Sequence, residues 1–254
     1  MSDLLRCAAA ALFLSLVMMA AWSWQRRTAN AGWSDVFWTF GLGSAGVVTS
    51  FGAGPRGPLV AAIIAVWALR LGIHIFRRTR GAPEDSRYAQ LRREWGERFE
   101  RRIFVFLQIQ AAAAILLLIP LFSAAAARTA WGWRDGLALA IIAAAIAGEG
   151  LADAQLQRFR DDPAHHGKVC EVGLWRWSRH PNYFFEWLHW LAYPVLASGS
   201  AWFWPALIGP ALMYWLLAHV SGIPLLEAQM LRSRGDLYRD YQRRVRPFFP
   251  FPRP

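Results

Sequence analysis

The sequence is short of lysine, cysteine and acidic residues, and each shortage excludes something. Of its 28 Lys and Arg residues only Lys168 is a lysine, a bias that a GC-rich bacterial genome explains and that carries little functional weight. Cysteine occurs twice, at Cys7 in an apolar run and at Cys170 in a basic loop. Without a CxxC pair or a metal-type cluster, neither a structural disulfide nor a structural zinc site is expected. With only 17 Asp and Glu the formal net charge is +11. So basic a chain suggests a polyanion partner, but no nucleic-acid-binding motif accompanies the charge. Basic loops flanking membrane spans account for it, and no nucleic acid is expected as a partner. The P-loop pattern GxxxxGK(S/T) is absent, and neither a P-loop nor a Rossmann domain is expected. No obligate protein partner is evident.

What the chain does have is apolar and aromatic: 56% hydrophobic residues and 15 Trp. Apolar residues come in long blocks and charges in short clusters between them, which excludes disorder and points to a membrane. A hydrocarbon core ~30 Å thick asks for roughly 20 apolar residues per helix. About seven segments qualify: Leu4 to Trp24, Trp33 to Phe51, Pro58 to Phe76, Ile103 to Ala126, Trp133 to Leu156, Tyr183 to Ala197 and Trp202 to Gly222. The sixth is short and Trp-rich, so it tilts or is buried among its neighbours. The first is too long for a signal peptide and lacks a cleavage site, so it is read as a span. The loops after the first, third and fifth segments and the carboxyl tail hold 23 basic residues, against four on the other side. The positive-inside rule then puts the amino terminus outside and the carboxyl terminus in the cytoplasm. The expected fold is an all-α integral membrane bundle of about seven transmembrane helices, a single domain over residues 1–254.

Ionisable residues inside spans are costly, and each is a candidate for function. Asp35 shares a face of the second span with Trp38 and Leu42, although a first-turn carboxylate favoured by the helix dipole is the plainer account. Arg70 and His74 lie four apart on the third span. Arg70 would bridge Asp35 as a structural ion pair, and His74 would bond a carbonyl, if neither serves chemistry. On the fifth span Glu149, Asp153 and Arg160 follow one face, and on the sixth Asn182, Glu186, His189 and Tyr193 do. The densest cluster is Gly173-Leu-Trp-Arg-Trp-Ser-Arg-His-Pro-Asn-Tyr183. Pro181 suits a helix start, whose free N–H groups would face an anion drawn by Arg176, Arg179 and His180, while Trp175, Trp177 and Tyr183 offer plates for stacking. In the tail, Tyr238, Tyr241 and Arg244 recur at three-residue steps. They either close a nucleotide pocket or belong to a basic helix lying on anionic lipid.

The block GLWRWSRHPNYFFEW, followed by a terminal E…RGxxYxxYxxxV…FFP, resembles the bacterial branch of the steroid 5-alpha-reductase superfamily. That superfamily includes the sterol reductases and, more distantly, isoprenylcysteine carboxyl methyltransferases. The likeness covers roughly the last 110 residues in detail and the whole chain in span count. It implies NADPH as cofactor, with Asp153, Arg160, Trp177, Arg179, His180, Asn182, Tyr183, Tyr238, Tyr241 and Arg244 at its site. Residues 127–254 would then hold the cofactor and the basic tail, and residues 1–126 the substrate. The sequence departs from steroid reductases where they carry a Gln-Glu pair on the second span and a Tyr on the third: here stand Asp35, and Arg70 with His74. The resemblance therefore implies a reductase of a hydrophobic enone, a 3-oxo-steroid or isoprenoid-like molecule, with Asp35, His74 and Glu186 as catalytic candidates. The proton donor would be Asp35 or cationic His74; failing both, Glu186, His189 or Tyr88. Such an enzyme would sit in the bacterial cytoplasmic membrane with its site open to the cytosol. Its rivals are an S-adenosylmethionine-dependent methyltransferase, with Arg179, His180 and Glu227 holding the methyl donor, and a lipid-binding protein without catalysis.

Overall fold

The computed structural model describes residues 3–251; the two ends of the chain, with Arg253 of the basic tail, lie outside the described residues. Among these residues the regular structure is helical, with one isolated parallel bridge between Ser178 and Arg246. Five stretches are long and apolar enough to cross a membrane: Leu5–Thr28, Gly57–Thr79, Ser86–Ala126, Trp133–Asp161 and Phe203–Arg234. They mark an integral membrane protein. Two of the seven expected segments fall outside this set. Helix α2 (Trp33–Phe51) is diluted by glycine, serine and threonine, and α7 (Pro181–Ala197) has only 17 residues. The segment expected over Trp202 to Gly222 is not one uniform helix. It divides into α8 (Phe203–Ala206), α9 (Ile208–Trp215) and a π-helical turn at Leu216–Val220, where the Ser221 amide donates to the Leu216 carbonyl at 2.9 Å.

The chain forms two compact units, Met1–Trp131 with Tyr193–Gly209, and Gly132–Ala192 with Pro210–Pro254. The end of α7 belongs to the first unit. In unit 1, α2 packs among α1 (Asp3–Thr28), α3 (Gly57–Thr79) and α5 (Phe99–Ala126). Small residues let the backbones approach closely. A Cβ on Gly43 would stand 2.2 Å from that of Ala68, and one on Gly72 would strike the Phe40 ring at 2.5 Å. Gly41-Leu-Gly43-Ser-Ala-Gly46 has the GxGxxG spacing of a dinucleotide fingerprint, but it opens no strand-to-helix turn. It lies within α2, where Gly41 meets Val17 and Gly46 meets Leu121, so the glycines serve helix packing. Arg56, at the start of α3 and one of the four basic residues counted on the sparsely charged side, is fully buried. It donates to the carbonyls of Ala127, Thr129 and Ala130 and lies over the Trp131 ring, satisfying carbonyls just past the end of α5.

Unit 2 is built on α6 (Trp133–Asp161), against which the loop before α7 folds back. Gly173, at φ +58°, turns the loop so close to Gln155 that a Cβ would collide with it. The Gln155 side chain accepts from the Leu174 amide at 2.9 Å, and the Trp175 indole donates to the Ala152 carbonyl at 2.9 Å. The carboxyl end adds α10 (Ile223–Arg234) and α11 (Asp236–Arg244), separated by Gly235 at φ +53°.

Candidate functional site

The start of α7 and the loop before it carry half of the expected cofactor residues, and in unit 2 the ten form an inner and an outer set. The inner set is organised by Glu227 of α10. Its carboxylate accepts from Arg179 Nε at 2.6 Å and from the Gln242 amide at 2.8 Å, and pairs with His180 Nε2 at 3.2 Å. Arg179 also donates to the carbonyls of Gln242 and Val245. Its guanidinium, expected to draw a ligand anion, is buried and engaged within the protein. Burial holds the His180 imidazole below its ordinary pKa despite the adjacent carboxylate. The Tyr238 phenol is pushed up by burial and by Glu227, and that of Tyr241 chiefly by burial. Tyr241 donates to the carbonyls of Trp175 and Ser178, and the Ser178 hydroxyl donates to that of Phe248 at 2.8 Å. These side chains therefore fasten the tail beneath the motif loop. Arg244, at the surface, forms a two-pronged pair with Glu171 at 2.7 and 2.8 Å.

The outer set stays accessible. Asn182 Nδ2 donates to Asp153 Oδ1 at 3.3 Å, joining α7 to α6. Arg160 is exposed two turns further along α6. Trp177 is 41% exposed, with Arg176 over its ring, and Tyr183 stacks on His180 with ring centroids 5.6 Å apart. Two exposed guanidiniums, an aromatic plate and an amide–carboxylate pair fit a phosphorylated dinucleotide in kind. Further down α7, Glu186 and His189 are buried, and the Glu186 carboxylate accepts from the Trp190 indole at 3.1 Å.

In unit 1, Asp35 lies in the first turn of α2, as the helix-dipole account has it. Its carboxylate is bonded from α4 (Ser86–Trp95): Arg87 Nη2 donates to Asp35 Oδ2 at 2.6 Å, and Tyr88 Oη donates to Oδ1 at 2.7 Å. The cap of α4, Asp85, accepts from the Arg87 amide at 3.0 Å. Burial opposes ionisation of Asp85, but its bonds to Arg87 prevail and keep its pKa below the ordinary carboxylate value. Tyr88 is buried. His74 lies half-buried on α3. Arg87 and the binding role of Gln242 escaped sequence reasoning, and Tyr88 entered only as a last resort. The available signal was the helix cap Asp85 with Arg-Tyr two and three residues on, in a chain whose second span needed a partner for its acid.

A family model described as "Protein of unknown function (DUF1295)" matches residues 21–245, which takes in both clusters. The chain belongs to the DUF1295 family. A similar protein is "Uncharacterized protein C594.04c" of Schizosaccharomyces pombe (strain 972 / ATCC 24843), 28% identical over 222 residues. That match covers 76% of this chain and 62% of the relative, so the chain spans less than two thirds of the yeast protein's length. No solved structure matches.

Proposed function

We propose that the protein is an NADPH-dependent membrane reductase that saturates the C=C bond of a hydrophobic enone. The observation that carries this reading is the division of labour in the GLWRWSRHPNY block. Arg179 and His180 lock the loop to the tail, whereas Arg160, Arg176 and Trp177 are exposed beside the half-buried Asn182–Asp153 pair. The resemblance of this block to steroid 5-alpha-reductases adds to it. When bound, the dinucleotide supplies hydride to the β-carbon. Arg160 and Arg176 would hold its phosphates, and Asp153 with Asn182 would orient it. In unit 1 the Asp35 carboxylate accepts at both oxygens, so it is better suited to position a donor than to be one. Tyr88 holds the proton and would stabilise the enolate oxygen, with His74 as the other acid in this unit.

Isothermal titration of the purified protein with NADPH and, separately, with S-adenosylmethionine tests the cofactor. NADPH alone is expected to bind, and Arg160→Ala and Asn182→Ala should each weaken it by about 1–3 kcal/mol. Binding of S-adenosylmethionine without NADPH would transfer the site to a methyltransferase.

In the same reading α2 and α7 also cross the bilayer, giving seven spans with the amino terminus outside and the site open to the cytosol. The 23-to-4 asymmetry of basic residues supports this. Reporters fused at Ser2 and at Pro254 should therefore appear on opposite sides of the cytoplasmic membrane, and same-side reporters would remove the seven-span topology.

A further inference from the structure

We propose that unit 1 carries a seat for an acyl chain of an anionic phospholipid, on the face of α2 turned away from Asp35. A cavity of about 410 Å³ lies there, walled by Phe13 and Trp24 of α1, Trp33, Phe40 and Ser44 of α2, and Phe76 of α3. Trp33, Phe40 and Ser44 recur along one face of α2. Asp35, two residues on from Trp33, points roughly 200° around the helix, so the cavity is separate from the Asp35–Tyr88 pair. Of the six, only Ser44 carries a hydroxyl, and nothing charged lines the cavity, so it has little to hold a water-soluble ligand or polarise a carbonyl. Phe13 and Trp24 are each 41% exposed and Phe76 is 37% exposed, on helices long and apolar enough to span a membrane, so the cavity opens where a bilayer would lie. From Phe13 to Trp24 it follows α1 for roughly 16 Å, a shape suited to a hydrocarbon chain.

The head group is selected at one end. Trp33 meets both Trp24 and Phe76 edge to face, with ring centroids 6.2 and 5.5 Å apart, an aromatic cluster of the kind found at membrane interfaces. One helical turn beyond Trp24 is Arg27, and one turn beyond Phe76 is Arg80. Both are exposed, and neither takes part in an ion pair among the described residues. Their neighbours Arg26 and Arg78, by contrast, are paired with Glu100 and Asp85. Two uncompensated guanidiniums above an apolar slot favour an anionic head over a zwitterionic one.

Native mass spectrometry of the full chain, delipidated and offered equal amounts of dioleoyl phosphatidylglycerol and dioleoyl phosphatidylcholine, tests the site. One phosphatidylglycerol should be retained in preference, by about fivefold per arginine and roughly 25-fold for the pair. Arg27→Gln with Arg80→Gln should erase the preference, and Ser44→Trp, which fills the deep end, should reduce retention of both lipids. Equal retention of the two lipids by the parent, or parental retention by a folded Ser44→Trp variant, would overturn the proposal. A second measurement is independent of that variant. Phosphatidylglycerol brominated on its acyl chains should quench the parent's tryptophan fluorescence more than that of the Trp24→Phe, Trp33→Phe double variant, and equal fractional quenching overturns the site.

Discussion

Glu227→Ala is expected to lower the unfolding temperature of the protein more than any other single substitution in unit 2. The carboxylate is one of the acceptors that keep the buried Arg179 guanidinium satisfied, and it also pairs with His180 and accepts from Gln242. An arginine does not shed its proton when its partner goes, so the charge remains buried and underpaired. Removing one member of such a pair costs about 3–5 kcal/mol. The lower end is expected here, because Arg179 keeps its bonds to the Gln242 and Val245 carbonyls. Glu227→Gln retains an acceptor oxygen and should be milder. Thermal unfolding in detergent, with limited proteolysis of the tail, measures both. An unfolding temperature for Glu227→Ala equal to the parent's would show that the tail is held by something else.

The second large effect belongs to chemistry. Tyr88→Phe removes the only proton that the Asp35–Tyr88 bond carries, and general-acid assistance is worth about 10²–10⁴ in rate. Consumption of NADPH with a 3-oxo-steroid enone should fall by a factor in that range, while NADPH affinity stays at the parental value. Asp35→Asn should also slow turnover, but it loosens the bond to Arg87 and will lower stability as well. A parental rate in Tyr88→Phe would move the donor to His74.

The long apolar helices were legible because hydropathy is a local property. Gly57–Thr79 and Trp133–Asp161 follow almost directly from composition. The break in the stretch after Trp202 was signalled only by Pro205 and Pro210, which an apolar average passes over. At the sites, residue type was readable and burial was not. Arg56 and Arg179 both look like loop cations, yet each is enclosed by carbonyls contributed from 63 to 74 positions away. Asp35 drew notice as a lone acid in an apolar segment. Its partners lie 52 and 53 residues on, inside a stretch whose many arginines concealed the two side chains that reach back. Pairing over such distances is a product of the fold, and helical periodicity carries no trace of it.

The strip from Tyr241 to Phe248 that seals the motif loop has a bearing on how the molecule is made. Tyr241 meets the Trp175 carbonyl across 66 positions, and Ser178 meets that of Phe248 across 70. During synthesis the loop must therefore wait, unfastened, until that strip leaves the ribosome. A chain stopped shortly before Tyr241 would hold every long apolar helix and insert normally, yet present an open loop with Arg179 deprived of the Gln242 and Val245 carbonyls. Competence is thus conferred only once that strip has been made, and copies truncated before it would be distinguishable to a membrane protease by the loop they fail to close.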